Sequence, residues 1–243
     1  MALSKIGTNA ISDDAVTTAK LPNDAVTSAK IADGTIATAN IADDAITAAK
    51  VDDDGTGFTV GDLTIGSTAA KKAGVETIWV PSNSMYPETT NGCALITQVE
   101  LGNGPEMKVL DFDPSSDEHA QFSVAFPKSW NEGTITFKAY FTVTGTNTGT
   151  VAWGLSGVAI ADDDSINTAF GTNVVATAKA HSGTSNDLNV TAESGAVTIA
   201  GSPAAGEQVF FQIKRDVSAD DQSGDARLLG VQLFFTTDAA NDA

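Results

Sequence analysis

The sequence predicts an all-β chain in two parts: an N-terminal repeat shaft, built as an intertwined trimeric β structure, and a C-terminal β-sandwich or jelly-roll head. Three observations predict it. Every large aliphatic residue between positions 6 and 51 falls on a five-residue grid. From Val75 onward the composition changes, and all three Trp, both Tyr and ten of the eleven Phe lie there. That second part alternates short apolar runs with Gly, Pro, Asn and Asp clusters, the pattern of sandwiches and barrels.

The grid is Ile6, Ile11, Val16, Leu21, Val26, Ile31, Ile36, Ile41, Ile46 and Val51. Its unit is a decad, as in Leu21–Lys30 and Ile31–Asn40, and such a repeat implies stacked, quasi-one-dimensional architecture. A straight α-helix fits poorly, because residues five apart rotate by about 140° and would not form a stripe. A flat strand fails too, because an odd period sends successive aliphatics to opposite faces. The period is satisfied if the chain turns a corner every pentad, with short β faces meeting at Asp, Asn or Gly corners.

Two β arrangements follow. A one-chain solenoid would bury the residue two before each aliphatic, which suits Ala19, Ala29, Ala39 and Ala49. It does not suit Asp14, Asp24 and Asp44, since burying an unpaired carboxylate is costly. An intertwined assembly, most simply of three chains around a shared aliphatic axis, avoids that problem and is favoured. A flexible acidic linker and short helical turns in each unit are the other readings. The expected organisation is an anchor and shaft over residues 1–55, a junction over 56–74 and a head over 75–243.

In the head, strands are expected at 76–80, 93–101, 107–112, 119–126, 133–144, 150–161, 173–180, 187–193, 196–200, 207–216 and 226–237. Alternation is clearest in Thr134–Val143. Residues 163–169 are expected to form a single helical turn.

Charge narrows the partners. A net charge of −18 argues against nucleic acid, which calls for Lys and Arg clusters. No apolar run is long enough for membrane insertion, and the first residues lack the apolar core of a secretory signal. Cys93 is alone, so no intrachain disulfide is expected.

Catalytic signals are weak, and no catalytic residue or cofactor is assigned. Only two histidines exist, His119 and His181. Gly154-Leu-Ser-Gly157 lacks the Gly-x-Ser-x-Gly spacing of a nucleophile elbow. Asp117-Glu118-His119 reads as a solvated strand entry more readily than as acid, base or metal ligands. Asp162–Asp164, and Asp216 with Asp220, Asp221 and Asp225, are oxygen-rich loops without a calcium-loop pattern. They read as acidic surface loops, and no metal is assigned. Trp79 and Trp153 lie in apolar strands and are expected in the core. Tyr86 and Trp130 sit near turns and are the candidate binding residues, each offering a ring on which a sugar could stack.

Units such as Asp24-Ala-Val-Thr-Ser-Ala-Lys-Ile-Ala-Asp-Gly34 resemble repeats in fibre and tail proteins of bacteriophages. The stretches Asp117–Phe122, Phe126-Pro-Lys-Ser-Trp130 and Arg227–Ala243 are similar to C-terminal domains of phage virion proteins from aquatic environments. The resemblance touches both halves and transfers no catalytic role. It implies a non-enzymatic homotrimer located in the virion, bound to capsid or tail proteins by its N-terminus, with a distal head for host-surface glycan. It equally admits a head-fibre or capsid-decorating role without receptor binding. A glycan-degrading tip is the enzymatic alternative, because a carboxylate pair suffices for that reaction.

Overall fold

The structure is a computed structural model describing residues 11–12, 15–42, 45 and 74–238. The expected anchor over 1–10, the junction short of Gly74, and the grid residues Ile6, Ile46 and Val51 lie outside the described residues. Those described fall in two units, one before residue 65 and one after it.

In the repeat, the corner every five residues is present. Among the described residues, the decads 11–20, 21–30 and 31–40 each make two turns closed by backbone bonds from residue i+3 to i. One set comprises Ala15 N to Ser12 O, Ala25 N to Pro22 O, Thr35 N to Ala32 O and Ala45 N to Ala42 O. The other comprises Lys20 N to Thr17 O, Lys30 N to Thr27 O and Asn40 N to Ala37 O. The second set forms single 3₁₀ turns at Thr18–Lys20, Ser28–Lys30 and Thr38–Asn40.

The side chains reinforce these turns. Lys20 Nζ donates to Ala15 O over 2.6 Å, and Lys30 repeats the bond to Ala25 O. The fourth decad position takes a left-handed φ, +62° at Asp24 and +76° at Gly34. That conformation favours Gly, Asn and Asp, which explains the exchange of Asp and Gly there.

The expected β faces between corners are not formed: no strand lies among the described residues of the repeat. Two turns in ten residues leave too little extended chain for a pairing ladder. Short helical turns take their place. The described grid residues, Ile11 to Ile41, are 41–55% exposed. Within one chain, therefore, the described part of the grid encloses no core.

The head contains β1 (Gly74–Pro81), β2 (Tyr86–Pro87), β3 (Thr97–Val99), β4 (Met107–Phe112), β5 (Glu118–Ala125), β6 (Thr136–Val143) and β7 (Thr150–Val151). These are followed by β8 (Trp153–Ile160), β9 (Val174–Val175), β10 (Lys179–Ala180), β11 (Asn189–Val190), β12 (Ile199–Ala200), β13 (Gln208–Arg215) and β14 (Ala226–Thr237). The first sheet runs β11-β6-β14-β4-β3, with β1 also on β14. The second runs β12-β8-β13-β5-β2, with β9 on β8, and β7 pairs with β10. The head is thus an all-β sandwich. The expected helical turn at 163–169 is absent, and that segment is irregular.

Alternation along the long strands fills the space between the sheets. Phe137, Ala139 and Phe141 on β6, Leu228, Val231 and Leu233 on β14, and Val209, Phe211 and Ile213 on β13 are all buried. A β-bulge between Leu228 and Gly230 resets the phase of β14. Trp153 meets Phe112 edge-on at 4.9 Å, and Phe122 stacks on Phe211 at 5.2 Å. Burial of these faces supplies the main favourable term in folding.

One buried charge ties the sheets at their end. Arg215 on β13 is 0% exposed and uses all five N–H groups. Nε and Nη2 hold the two Asp220 oxygens at 2.8 and 2.9 Å. Nη1 donates to Phe112 O and Gly224 O, and Nη2 also to Gln222 O. Phe112 belongs to the opposite sheet, so the guanidinium bridges the sandwich.

Candidate functional site

The outer face of the second sheet carries a trough. In register, Tyr86 on β2 lies beside Gln121 on β5, Gln121 beside Gln212 on β13, and Gln212 beside Ser156 on β8. Their strand neighbours Ala120, Phe122, Phe211 and Ile213 point inward and are buried. Strict alternation therefore forces the row of amides outward.

The amides are organised by Glu88. Gln121 Nε2 donates to Glu88 Oε1 over 2.6 Å, and Gln212 Nε2 donates to the same oxygen. Tyr86 Oη lies 3.5 Å from Gln121 Oε1. Glu88 is seated by the loop after β2. Glu88 N and Cys93 N both donate to His119 O, and His119 N donates back to Asn91 O. Gly92 must be glycine, since a Cβ there would fall 2.0 Å from Glu88 O. The result is a fixed row with carbonyl oxygens and Glu88 Oε2 left as further acceptors.

Three adjoining depressions make up the trough. One of about 360 Å³ lies over Tyr86, Glu88, Thr90 and Gln121. The next, of about 270 Å³, shares Tyr86 and Gln121 and adds Val158, Thr168, Phe170 and Phe210. The third, of about 800 Å³, shares Phe210 and Ile166 with the second and opens onto Asp162–Asp164 and Glu207. No Lys, Arg or His lines any of the three. Aromatic and aliphatic floors beside fixed polar groups suit a ligand with apolar faces and hydroxyl edges.

Tyr86 is 49% exposed and belongs to this trough, where the sequence placed a candidate contact. Trp130 does not. It is 2% exposed, stacked on Phe126 at 4.4 Å, so the candidate contact there is corrected to a core residue. The Pro127–Trp130 turn, closed by Trp130 N to Pro127 O, brings the indole back into the core. Trp153 is in the core as expected, but Trp79 is 48% exposed. Ile78 and Val80 take the inward positions of β1, so Trp79 faces out by parity.

The remaining candidates are structural. Ser156 lies in mid-strand in β8, not at a strand-to-helix turn. Asp117 Oδ2 receives Lys214 Nζ at 2.8 Å, and its Oδ1 receives Val217 N. Glu118 accepts from Asp113 N, while partial burial pushes its carboxyl above the usual range. Both ring nitrogens of His181 face carbonyl oxygens, those of Asn147 and Thr184. Asp220 is spent on Arg215, and Asp221 accepts from the backbone and hydroxyl of Thr150. Asp164 accepts from Ala161 N across its own turn. Among the described residues no group of three or more His, Cys, Asp or Glu is placed to hold a metal ion. Cys93 is buried, and burial together with Glu118 pushes its thiol up to about 12.

Sequence reasoning missed Glu88, Gln121, Phe210 and Gln212. Glutamines at the outward positions of Ala120-Gln-Phe122 and Phe211-Gln-Ile213 are visible in the sequence. Their alignment depends on pairing between strands about ninety residues apart in the chain.

No known family model matches the chain, and no curated protein matches it. Among solved structures it is similar to the CBM36-1 domain of a multidomain xylanase from the hindgut metagenome of Trinervitermes trinervoides, with 11% identity and a TM-score of 0.34 over 65% of this chain and 96% of that one. It is similar to TmCBM27, a carbohydrate-binding module that recognises mannan, with 12% identity and a TM-score of 0.34 over 68% of this chain and 98% of the module. It is also similar to Caldicellulosiruptor saccharolyticus CBM27-1, solved in complex with mannohexaose, with 12% identity and a TM-score of 0.32 over 69% and 99% of the two chains.

Proposed function

We propose that this chain is a non-enzymatic bacteriophage virion fibre: a homotrimer held to the particle by its N-terminus, with a sandwich head that attaches to host-surface glycan through the trough. The observation that carries the glycan reading is the Glu88-anchored amide row beside Tyr86, Phe170 and Phe210. A pyranose ring presents an apolar C–H face to an aromatic and hydroxyls to amide and carboxylate groups. With carboxylates at both ends and no cation in its lining, the trough selects neutral or amino sugars over acidic ones. The observation that supports self-association is the half-exposed aliphatic grid, which copies of the chain would cover. The phage assignment rests on the resemblance of the repeat and of the C-terminal stretches. Attachment to the capsid as a decorating fibre shares all these features except receptor binding.

A glycan array with the full-length chain tests the attachment reading. The native protein should bind neutral or amino-sugar oligosaccharides, and Tyr86→Ala and Gln121→Ala should each weaken that binding by about tenfold, the value of one lost hydrogen bond or stacked ring. Equal binding by both variants, or no binding of such glycans by the native protein, would remove the receptor role. Gel filtration with light scattering tests the assembly: a clean monomer at micromolar concentration would remove the trimer.

A further inference from the structure

The opposite face of the head carries a second aromatic corner that the trough does not use. On the outer side of the first sheet, Trp79 on β1 lies beside Gln232 on β14, and Gln232 beside Lys138 on β6. The next outward row brings Gly230 of β14 beside Tyr140 of β6. The indole of Trp79 lies directly over Gly230. A Cβ at Gly230 would fall 2.5 Å from Cζ2, 2.6 Å from Cη2 and 2.7 Å from Val80 O, so only glycine leaves room for the ring and for the paired strand. Glycine in the middle of a twelve-residue strand is unfavourable by itself, and here it makes a seat for the indole.

Tyr140 stands against Trp79 at nearly a right angle, with ring centroids 5.0 Å apart and planes inclined by 83°. Tyr140 Oη donates to Gln232 Oε1 over 2.9 Å, which fixes both and leaves Gln232 Nε2 as a donor. Lys138 Nζ lies 5.4 Å from the Phe234 ring centroid. It makes no ion pair among the described residues, although the chain carries 31 carboxylates against 13 Lys and Arg. Glu193 accepts from Thr136 Oγ1, a residue on the same face of β6 as Lys138.

We propose that this corner is a second carbohydrate site, specific for a pyranose that bears a carboxylate, such as a uronic or sialic-type acid. The indole takes the C–H face of the ring, Gln232 and Tyr140 meet its hydroxyls, and the Lys138 ammonium meets the carboxylate. The charge complementarity is opposite to that of the trough, which has carboxylates at both ends and no cation in its lining. The two faces therefore read different sugars, and this site stands whether or not the trough binds glycan.

The test uses the full-length chain, with hyaluronan hexasaccharide and sialyllactose as acidic probes and cellohexaose as the neutral one. Trp130 and Trp153 are buried, so acrylamide quenching reports Trp79. An acidic probe at roughly millimolar concentration should protect Trp79 from quenching, less so at high salt. Lys138→Gln should weaken that protection about fivefold, Gly230→Ala should displace the indole and abolish it, and Tyr86→Ala should leave it unchanged. No protection by either acidic probe would overturn the proposal. So would equal protection by cellohexaose, because the carboxylate would then not be read. A lower oligomeric mass for Trp79→Ala would also overturn it, by assigning the face to packing between copies.

Discussion

Replacing Arg215 by Met would remove every donor of the guanidinium while keeping most of its length and apolar bulk. Four acceptor groups would then lose their partner: the Asp220 carboxylate and the carbonyls of Phe112, Gln222 and Gly224. Breaking a buried ion pair by removing one member typically costs about 3–5 kcal/mol. The Asp220 side chain is only 2% exposed, so water cannot easily replace the lost donor. Since a domain of this size is stable by roughly 5–15 kcal/mol, about 4 kcal/mol is a large share. Urea unfolding followed by tryptophan emission reports the head, because all three tryptophans belong to it. With a slope of roughly 2 kcal/mol per molar, the midpoint should fall by about 2 M. Asp220→Asn should also destabilise, and the double variant should lose less than the sum of the two, with a coupling of about 2 kcal/mol. A midpoint shift below about 0.5 M, or strict additivity, would refute the view that Arg215 pins the two sheets together.

Two further outcomes follow from the same structure. Ile31→Asp with Ile36→Asp should dissociate the proposed assembly while leaving head unfolding unchanged, because each described grid residue has about 1 kcal/mol of remaining apolar surface to bury and a buried carboxylate is far worse. An unchanged mass by light scattering would refute the axial role. Burial acts to raise the Asp216 carboxyl, but hydrogen bonds from Ser218 and the Lys214 ammonium outweigh it and hold the group below the usual carboxylate range. A depressed carboxylate contributes stability that is present above its unfolded value of 3.8 and is lost as pH falls through its folded value. Asp216→Asn should therefore cost about 1–2 kcal/mol at pH 7 and progressively less as pH falls below about 4, measured as urea midpoints across that range.

The sequence exposed most of the fold where period and burial agree. Strand β14 begins and ends where the apolar run at 226–237 does, and Thr134–Val143 contains β6 with its buried parity. Legibility failed where only a tertiary partner decides the conformation. The strands expected at 173–180, 187–193 and 196–200 are present but shrink to the two-residue β9, β10, β11 and β12, because their length is set by the edges that β6, β7 and β8 offer for pairing. Tyr86–Pro87 is a strand for the same reason, through β5. Trp79 and Trp130 show a second limit. Both are indoles near strand ends, and the sequence placed one inside and the other outside. The structure reverses them, since the parity of β1 and the direction of the turn after β5 depend on what each segment packs against. The repeat shows a third. Its odd period dictated a corner every pentad, and Asp24 and Gly34 make that corner, but the period was silent on whether the intervening residues would extend or coil.

That conformation bears on how the proposed attachment would work. The trough is open along its length, so a bound sugar chain would keep much of its surface in water and each head would bind weakly. A grid that closes only between copies would place several such heads on one particle-bound stalk. The second head would then bind at an effective concentration set by the stalk rather than by the solution, and avidity could exceed single-site affinity by about 10²–10⁴. Affinity for a soluble oligosaccharide and retention on a glycan-coated surface then separate. Ile31→Asp with Ile36→Asp should leave the first unchanged and abolish most of the second, whereas Gln121→Ala should weaken both. If the grid variant instead lost soluble binding in the same proportion as surface retention, assembly would be building the trough itself, and the head could not be treated as an independent receptor-binding unit.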